Sequence, residues 1–184
     1  MLGLPLREFY FLRHGQTDFN AKGLSQGAID IPLNDVGRAQ AEAAAPVLAG
    51  RGIVGIVTSP MLRAHETATI INATLNLPMM VEPDLREVIF GGQEGKPLAP
   101  WFSGWLDGTF TPEGAESFEL LTERAASVMA RVLAHPGPLL IVSHGAFFRS
   151  VRALMGLELD VISGNARPML CAPMGRIWQA TPLA

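Results

Sequence analysis

Short apolar runs and longer amphipathic stretches alternate along most of this chain. The apolar runs are continuous, which is typical of strands buried on both faces of a parallel sheet, and the stretches between them show helical spacing. Strands are predicted at 8–12, 53–57, 79–81, 139–142, 169–172 and 176–179, and helices at 36–48, 60–75, 116–133 and 146–155. This order predicts an α/β fold, a three-layer α/β/α sandwich with a mostly parallel central sheet, in a single domain over residues 1–184.

One stretch interrupts the alternation. Residues 91–114 are rich in glycine, proline and aromatic side chains, which predicts an irregular excursion with a short helix at 101–106. The apolar side chains there fit two interpretations, a helix that packs on the domain or one wall of an apolar pocket. These side chains are Leu98, Trp101, Phe102, Trp105 and Phe110.

Cap residues mark the ends of the helices. Asn34 or Asp35 is expected to cap the first long helix, in which Pro46 predicts a kink or an end. Ser59 and Pro60 are expected to supply a cap and a first-position proline to the next helix.

Two of the four histidines share the same local context. Arg13–Gly15 follows the first predicted strand and Ser143–Gly145 follows the fourth, with a histidine before the glycine in each case. Because ligands bind at the carboxyl edge of open α/β sheets, His14 and His144 are candidates for one site there. A lone histidine is more often a core residue, but a pair at strand ends with a neighbouring arginine suits an oxyanion.

Two further residues fit such a site. Arg63 lies in the first turn of its helix, where the helix dipole disfavours a cation, and a bound anion explains it better than a solvated side chain does. Glu87 follows the third apolar run, and a bound anion would keep a proton on it for delivery to a leaving group. Neighbouring guanidinium groups would lower the pKa of His14 and leave a neutral imidazole able to attack. The set describes phosphoryl transfer through a phosphohistidine.

Composition narrows the class of protein. A formal net charge of −3 argues against nucleic-acid and anionic-membrane binders, because both need a basic surface. Arginine outnumbers lysine twelve to two, which suits a phosphate site but also follows from coding bias. Cys171, the single cysteine, is expected to be a buried thiol, and no apolar run is long enough to span a membrane. We therefore expect a cytoplasmic protein.

Five short blocks follow one another in a fixed order. They are Arg13-His14-Gly15 with Thr17, Asn20 and Gln26-Gly27; Ser59-Pro60 with Arg63; Leu85-Arg86-Glu87; Gly114-Ala115-Glu116-Ser117; and Val142-Ser143-His144-Gly145. Together they resemble the histidine phosphatase superfamily, also called the phosphoglycerate mutase-like family. One Arg-His-Gly tripeptide is a weak signal, whereas five ordered blocks are specific. The resemblance implies the phosphoglycerate mutase-like fold.

The resemblance also implies a role for each residue. His14 would be the nucleophile, and Glu87 would protonate the leaving alcohol and then activate water. Arg13, Arg63 and His144 would hold the phosphoryl oxygens and stabilise the transition state. Residues expected to touch the phosphate or the substrate are Thr17, Asn20, Gln26, Gly27 and Gly145.

The implied function is hydrolysis of a small phosphomonoester, with that ester and inorganic phosphate as ligands. No metal or other cofactor is implied, since arginine and histidine supply the positive charge. Two alternatives stay open, namely a phosphoglycerate mutase-type phosphotransferase and a catalytically silent module that binds a phospholigand or a protein. The oligomeric state is also open, a homodimer included.

Two departures from the family pattern concern the substrate. Gln93 stands where relatives often carry tryptophan, and Lys96 is the only basic residue between 88 and 116, where substrate-covering residues are expected. The pocket is therefore predicted to hold few cations for a second anionic group. His65 and His135 match no catalytic position and are expected to be structural.

Overall fold

Six strands form one mixed sheet in the computed structural model, which describes residues 3–159, 161 and 163–184. The sheet order is β3-β2-β4-β1-β5-β6; the first four strands are parallel, and β5 and β6 join antiparallel at one edge. The strands are β1 Phe9–Arg13, β2 Gly55–Thr58, β3 Met79–Val81, β4 Leu139–Ser143, β5 Met169–Met174 and β6 Ile177–Pro182.

Helices cover both faces of this sheet. They are α1 Asp18–Ala21, α2 Asp35–Leu48, α3 Leu62–Leu75, α4 Trp101–Leu106, α5 Phe118–Val132 and α6 Gly145–Leu154, with 3-10 turns at Pro83–Leu85 and Gly91–Gln93. Successive residues of β1 enter different cores, because strand side chains alternate between faces. Phe9 and Phe11 pack with α5 and α6, whereas Tyr10 and Leu12 pack with α2 and α3. The prediction of a three-layer sandwich with a mostly parallel sheet is confirmed.

Helix ends differ from the prediction in one instructive case. Asn34 caps α2 as expected, accepting from the N–H of Gly37 at 2.9 Å, and the helix continues two residues past Pro46. The expectation that Ser59 and Pro60 begin α3 is wrong.

The cap of α3 comes from elsewhere in the chain. The helix starts at Leu62, and its first N–H donates to the Asp30 carboxylate at 2.8 Å. The Ser59 hydroxyl lies 2.7 Å from a buried nitrogen of His144 instead. Leaving that imidazole nitrogen unsatisfied in the core would cost more than an exposed helix end, which water can satisfy.

The irregular excursion is tied to the loop after α1. The backbone of Ser25 pairs with Lys96 and Gly95 at 2.9 Å each, and Leu24 bridges to Pro97. The short helix predicted at 101–106 is confirmed. Within the described part of the chain, no helix has the length and apolar character that crossing a membrane requires.

Candidate active site

The two strand-end histidines lie side by side at the carboxyl edge of the sheet. β1 and β4 are adjacent and parallel, with the Cα atoms of Arg13 and Ser143 in register. His14 and His144 follow directly, and the His14 N–H donates to the Ser143 carbonyl at 3.0 Å. The imidazole centroids are 5.3 Å apart, and neither residue is more than 1% exposed.

The hydrogen bond of His14 defines its tautomer. Its Nδ1 lies 2.7 Å from the Gly15 carbonyl oxygen, which can only accept, so Nδ1 carries the proton. Nε2 therefore has the lone pair. Burial, reinforced by Arg63 and Arg13, holds the pKa of His14 well below its ordinary value. The imidazole is neutral at physiological pH and suited to nucleophilic attack through Nε2.

His144 has the complementary arrangement. Its Nε2 lies 2.7 Å from the Ser59 hydroxyl, which already accepts the Met61 N–H at 3.3 Å. Nε2 is the one acceptor within reach of the buried Ser59 hydroxyl proton among the described residues, so the hydroxyl donates to Nε2 and the His144 proton resides on Nδ1. Burial, followed by Arg63 and His14, lowers the pKa of His144 as well. A neutral His144 can thus donate one hydrogen bond to an anion.

Two arginines supply the positive charge. Arg63 is fully buried, and its two terminal nitrogens donate to the carbonyls of Ile29 and Gly27 at 2.9 and 3.0 Å. Arg13 donates to the Ser163 carbonyl at 3.0 Å. Burial lowers the pKa of Arg63, and it lowers that of Arg13 to about 10, so Arg13 stays charged at neutral pH.

Three buried donors around His14 have no hydrogen-bond partner among the residues that the structure describes. They are Nε of Arg13, Nε of Arg63 and Nδ1 of His144. A buried unpaired donor is costly, particularly on a guanidinium, and such groups in folded proteins usually mark a functional requirement. Their common chemistry points to an oxyanion.

Glu87 is held at the N-terminus of α6. It is 8% exposed, and its carboxylate accepts the N–H groups of Val88, Ala146 and Phe147 at 3.0 to 3.1 Å. The first turn of α6 therefore orients Glu87 toward the cavity that also contains His14.

That cavity has a volume of about 320 Å³ and two chemically different parts. Its polar lining includes Arg13, His14, Asn20, Ser25, Gln26, Glu87 and Arg149; its apolar lining includes Leu24, Phe90, Leu98 and Phe102; and Gly27, Gly145 and Ala146 complete it.

Three of the predicted site residues do not line this cavity. Arg63 and His144 are fully buried behind the cavity lining, and each has one unpaired buried nitrogen, Nε of Arg63 and Nδ1 of His144. Thr17 forms a capping box with Asn20 at the start of α1, and its hydroxyl donates to the Gln26 side-chain oxygen at 2.8 Å. The structure therefore gives Thr17 a positioning task, since it orients two cavity residues.

Of the residues that the sequence did not point to, two matter most for the geometry and charge of the site. The side-chain amide of Asn165 donates to the His14 carbonyl at 3.0 Å and to the Asn20 side chain at 3.1 Å. Arg149 lines the cavity and lies 5.1 Å from the ring centroid of Phe102. Asn165 belongs to no motif, but Arg149 is four residues after Gly145 and thus on the same face of α6, which was a usable signal.

Arg149 also corrects the picture of a pocket with few cations. The expectation counted basic residues only in the excursion, whereas this guanidinium comes from α6. Charge at a site depends on every element that reaches it.

Both interpretations of the aromatic segment hold, each for different residues. Trp105 is fully buried and packs against Phe90 and Phe118, with its ring N–H donating to the Glu116 carbonyl at 2.9 Å. Leu98 and Phe102 line the cavity. Phe110 is 45% exposed and belongs to neither group.

The other titratable candidates lie away from the cavity. His65 is on α3, and His135 is in the loop before β4. Cys171 is fully buried in β5, as expected, and burial raises the pKa of its thiol to about 12.

Comparison with known proteins identifies the family. The model of the histidine phosphatase superfamily (branch 1) matches residues 9–166. The chain belongs to the histidine phosphatase superfamily. Glucosyl-3-phosphoglycerate phosphatase of Mycobacterium tuberculosis is 32% identical to this chain over 178 residues, 87% of this chain and 79% of that protein.

A solved structure agrees with the fold. Mycobacterial glucosyl-3-phosphoglycerate phosphatase in complex with VO3 superposes with a TM-score of 0.82 at 29% identity, covering 95% of this chain and 97% of that one.

Agropine synthesis reductase of Rhizobium rhizogenes is 38% identical over 164 residues, 83% of this chain, which spans only 36% of that longer protein. The comparisons place the chain in this superfamily and leave the substrate unspecified.

Proposed function

We propose that this protein hydrolyses a small phosphomonoester through a phosphohistidine on His14, without a metal or other cofactor. The observation that carries the proposal is the set of three buried, unpaired donors around a neutral imidazole whose Nε2 bears a lone pair. Two of the donors belong to guanidinium groups, which match phosphoryl oxygens in charge and geometry.

In the first step, Nε2 of His14 attacks phosphorus. The N–P bond forms as the bond from phosphorus to the ester oxygen breaks, and Glu87 transfers its proton to that oxygen. Arg13, Arg63 and His144 stabilise the charge on the remaining phosphoryl oxygens. The alcohol leaves, and Glu87 is now a carboxylate.

In the second step, water attacks the phosphohistidine. The Glu87 carboxylate takes a proton from the water as its oxygen bonds to phosphorus, and the N–P bond breaks. Inorganic phosphate leaves, His14 regains its lone pair, and Glu87 is protonated for the next cycle.

The cavity supports a small substrate with an apolar portion. Leu24, Phe90, Leu98 and Phe102 provide apolar surface beside the phosphate-binding groups, and Arg149 offers a cation at the same wall. A phosphomonoester with an apolar or planar leaving group would bury that surface on binding. Asn20, Gln26, Gly27 and Gly145 would contact the phosphate or the ester.

A panel of phosphomonoesters tests the proposal with wild type, His14→Ala and the matched variant His65→Ala. We expect turnover by wild type and His65→Ala, and loss of about 10⁴-fold or more in His14→Ala, because a nucleophile is removed. Wild type incubated with substrate and quenched should carry acid-labile phosphate, and His14→Ala should carry none.

Other outcomes identify the alternatives. Equal turnover by wild type and His14→Ala would exclude the phosphohistidine route. Phosphoryl return to a second substrate position, instead of release as phosphate, would indicate a mutase. Phosphate binding with no turnover of any ester would indicate a silent binding module.

A further inference from the structure

One ion pair braces the backbone that leads into Glu87. Arg124, on α5, and Glu116 form a two-point pair, with Nε to Oε1 at 2.9 Å and Nη2 to Oε2 at 2.7 Å. The other terminal nitrogen of Arg124 donates to the carbonyls of Asp84 and Arg86 at 2.7 and 2.9 Å. The Arg86 carbonyl belongs to the peptide bond that joins it to Glu87.

The neighbouring peptide groups are held as well. The hydroxyl of Ser143, at the end of β4, donates to the Leu85 carbonyl at 2.8 Å. The backbone N–H of Glu116 donates to the Ile89 carbonyl at 2.9 Å. The Glu116–Arg124 pair therefore contacts the chain both before and after Glu87.

The Glu87 carboxylate and its backbone thus have separate anchors. The N–H groups of Ala146 and Phe147 hold the carboxylate from α6, while Arg124 holds the backbone from α5. The Arg124 guanidinium also lies 5.9 Å from the Phe147 ring centroid, so the two anchors adjoin. Loosening the α5 anchor would leave the backbone at Glu87 held only by the flanking bonds at Leu85 and Ile89, so that the carboxylate could shift relative to the cavity.

A nearby arginine shows the contrast. Arg131, one further residue of α5, reaches the same turn through the carboxylates of Asp84 and Glu82 at 2.8 and 3.2 Å, and its side chain is 49% exposed. The side chains of Arg124 and Glu116 are only 11% and 16% exposed. Largely buried ion pairs are weak contributors to stability compared with apolar packing, so the geometry that this pair imposes is the better reason for its presence.

We propose that Arg124, held by Glu116, is a positioning residue that sets the distance between the Glu87 carboxyl group and the leaving oxygen of the substrate. This inference rests on the proposed role of Glu87. Proton transfer requires heavy atoms within about 2.6–3.2 Å, and a misplacement of about 1 Å can slow a reaction about 100-fold. Arg124 does not line the cavity, and it sets the position of Glu87 through the backbone carbonyls that it holds.

The test compares two esters that differ in their need for a proton. Benzyl phosphate releases a strongly basic alkoxide and requires an acid, whereas 4-nitrophenyl phosphate releases a weakly basic phenolate and does not. Single-turnover phosphorylation of His14 is measured for both, because this isolates the proton-donating step from hydrolysis of the phosphohistidine.

For Arg124→Lys we expect phosphorylation by benzyl phosphate to slow about 10- to 100-fold and that by 4-nitrophenyl phosphate to change less than about threefold. Glu116→Gln should show the same selectivity with a smaller loss, and it tests the proposal independently should Arg124→Lys fold poorly. Arg131→Lys, the matched control, should leave both rates within about twofold of wild type.

Equal slowing of both esters in Arg124→Lys and Glu116→Gln, or no slowing in either variant, would overturn the positioning role. Glu87→Gln separates this failure from failure of the proposed function. If Glu87→Gln slows the reaction of benzyl phosphate but not that of 4-nitrophenyl phosphate, while Arg124→Lys slows both equally, only the positioning role is wrong. If Glu87→Gln slows both esters equally, Glu87 is not the proton donor, and the positioning role of Arg124 is then wrong as well.

Discussion

At the scale of single residues, burial decides which protons the site carries. His14 is neutral with its proton on Nδ1 because the Gly15 carbonyl lies 2.7 Å away and two guanidinium groups face the buried ring. His144 is neutral for related reasons. The motifs identified both histidines, and the tautomer of His14 depends on the neighbouring Gly15 carbonyl, but that of His144 depends on Ser59, which is 85 residues away in the chain.

The lowered histidine pKa values make stability depend on pH. The folded state holds the pKa of His14 and His144 well below the ordinary value of about 6.5, chiefly by burial, so below that pH the unfolded chain binds protons that the folded chain does not. Stability should therefore fall as the pH drops from about 6.5, by about 1 kcal/mol per histidine at pH 5.5. Urea denaturation between pH 7.5 and 5.0, in buffer without phosphate or sulfate, measures this slope.

Substitution of each histidine assigns the effect. His14→Gln and His144→Gln should each reduce the loss of stability between pH 7.5 and 5.0 relative to wild type. A pH slope equal to that of wild type in both variants would show that the two histidines are not held neutral by the fold.

At the scale of elements, the loop after β1 and the first turn of α2 pack backbone against backbone, with no room for a side chain between them. A Cβ at Gly37 would lie 2.1 Å from the Gln16 carbonyl oxygen, and one at Gly15 would lie 2.4 Å from the Gly37 carbonyl oxygen. Both obstacles are backbone atoms, which cannot move aside as a flexible side chain can. This close contact holds the loop after His14 against the first turn of α2.

Gly37→Ala should therefore destabilise the fold, although helix propensity alone favours alanine by about 0.5–1 kcal/mol. We expect a loss of about 2 kcal/mol in the free energy of unfolding, because the helix must shift to admit the methyl group. Ala43→Gly, at an exposed position of the same helix, should lose only about 0.5–1 kcal/mol. A Gly37→Ala protein as stable as wild type in urea denaturation would contradict the close crossing.

The short helix α4 divides its aromatic side chains between core and cavity. Phe102→Ala removes cavity lining, so KM for phenyl phosphate should rise about tenfold, with kcat little changed, because the lost contact binds ground state and transition state alike. Phe110→Ala, at a position that is 45% exposed, is the control and should leave KM unchanged. Steady-state kinetics decide this, and equal KM values in wild type and Phe102→Ala would remove Phe102 from the binding surface.

At the scale of the whole molecule, the anion site is assembled from segments far apart in sequence. Arg63 comes from α3 but is oriented by the carbonyls of Gly27 and Ile29, and the His14 carbonyl is held by Asn165. Such a site exists only in the folded chain. A ligand that binds there must stabilise the fold by mass action.

Inorganic phosphate should accordingly raise the thermal midpoint of wild type. At a phosphate concentration of 100 times its Kd, the free energy of unfolding should rise by about 2.7 kcal/mol. Arg63→Lys should lose most of this shift, and about 10²- to 10³-fold in kcat/KM, because a single ammonium cannot both hold two carbonyls and face the anion. Arg38→Lys, at a surface ion pair with Glu66 and Asp35, should keep both. An undiminished phosphate shift in Arg63→Lys would place the anion elsewhere.

The sequence alone determined the alternation of elements, the family and the identity of the principal candidate residues. Periodicity and motifs are local properties, and helix α4 and the strand-end histidines were found because neighbours in sequence specify them. The tertiary structure decided the rest. Only the folded chain shows helix α1, the capping of α3 by Asp30, the Arg149 guanidinium in the cavity lining and the hydrogen bond from Asn165 to the His14 carbonyl. Each of these depends on groups that only folding brings together, and a buried donor takes whichever partner lies within reach there, however distant in the chain.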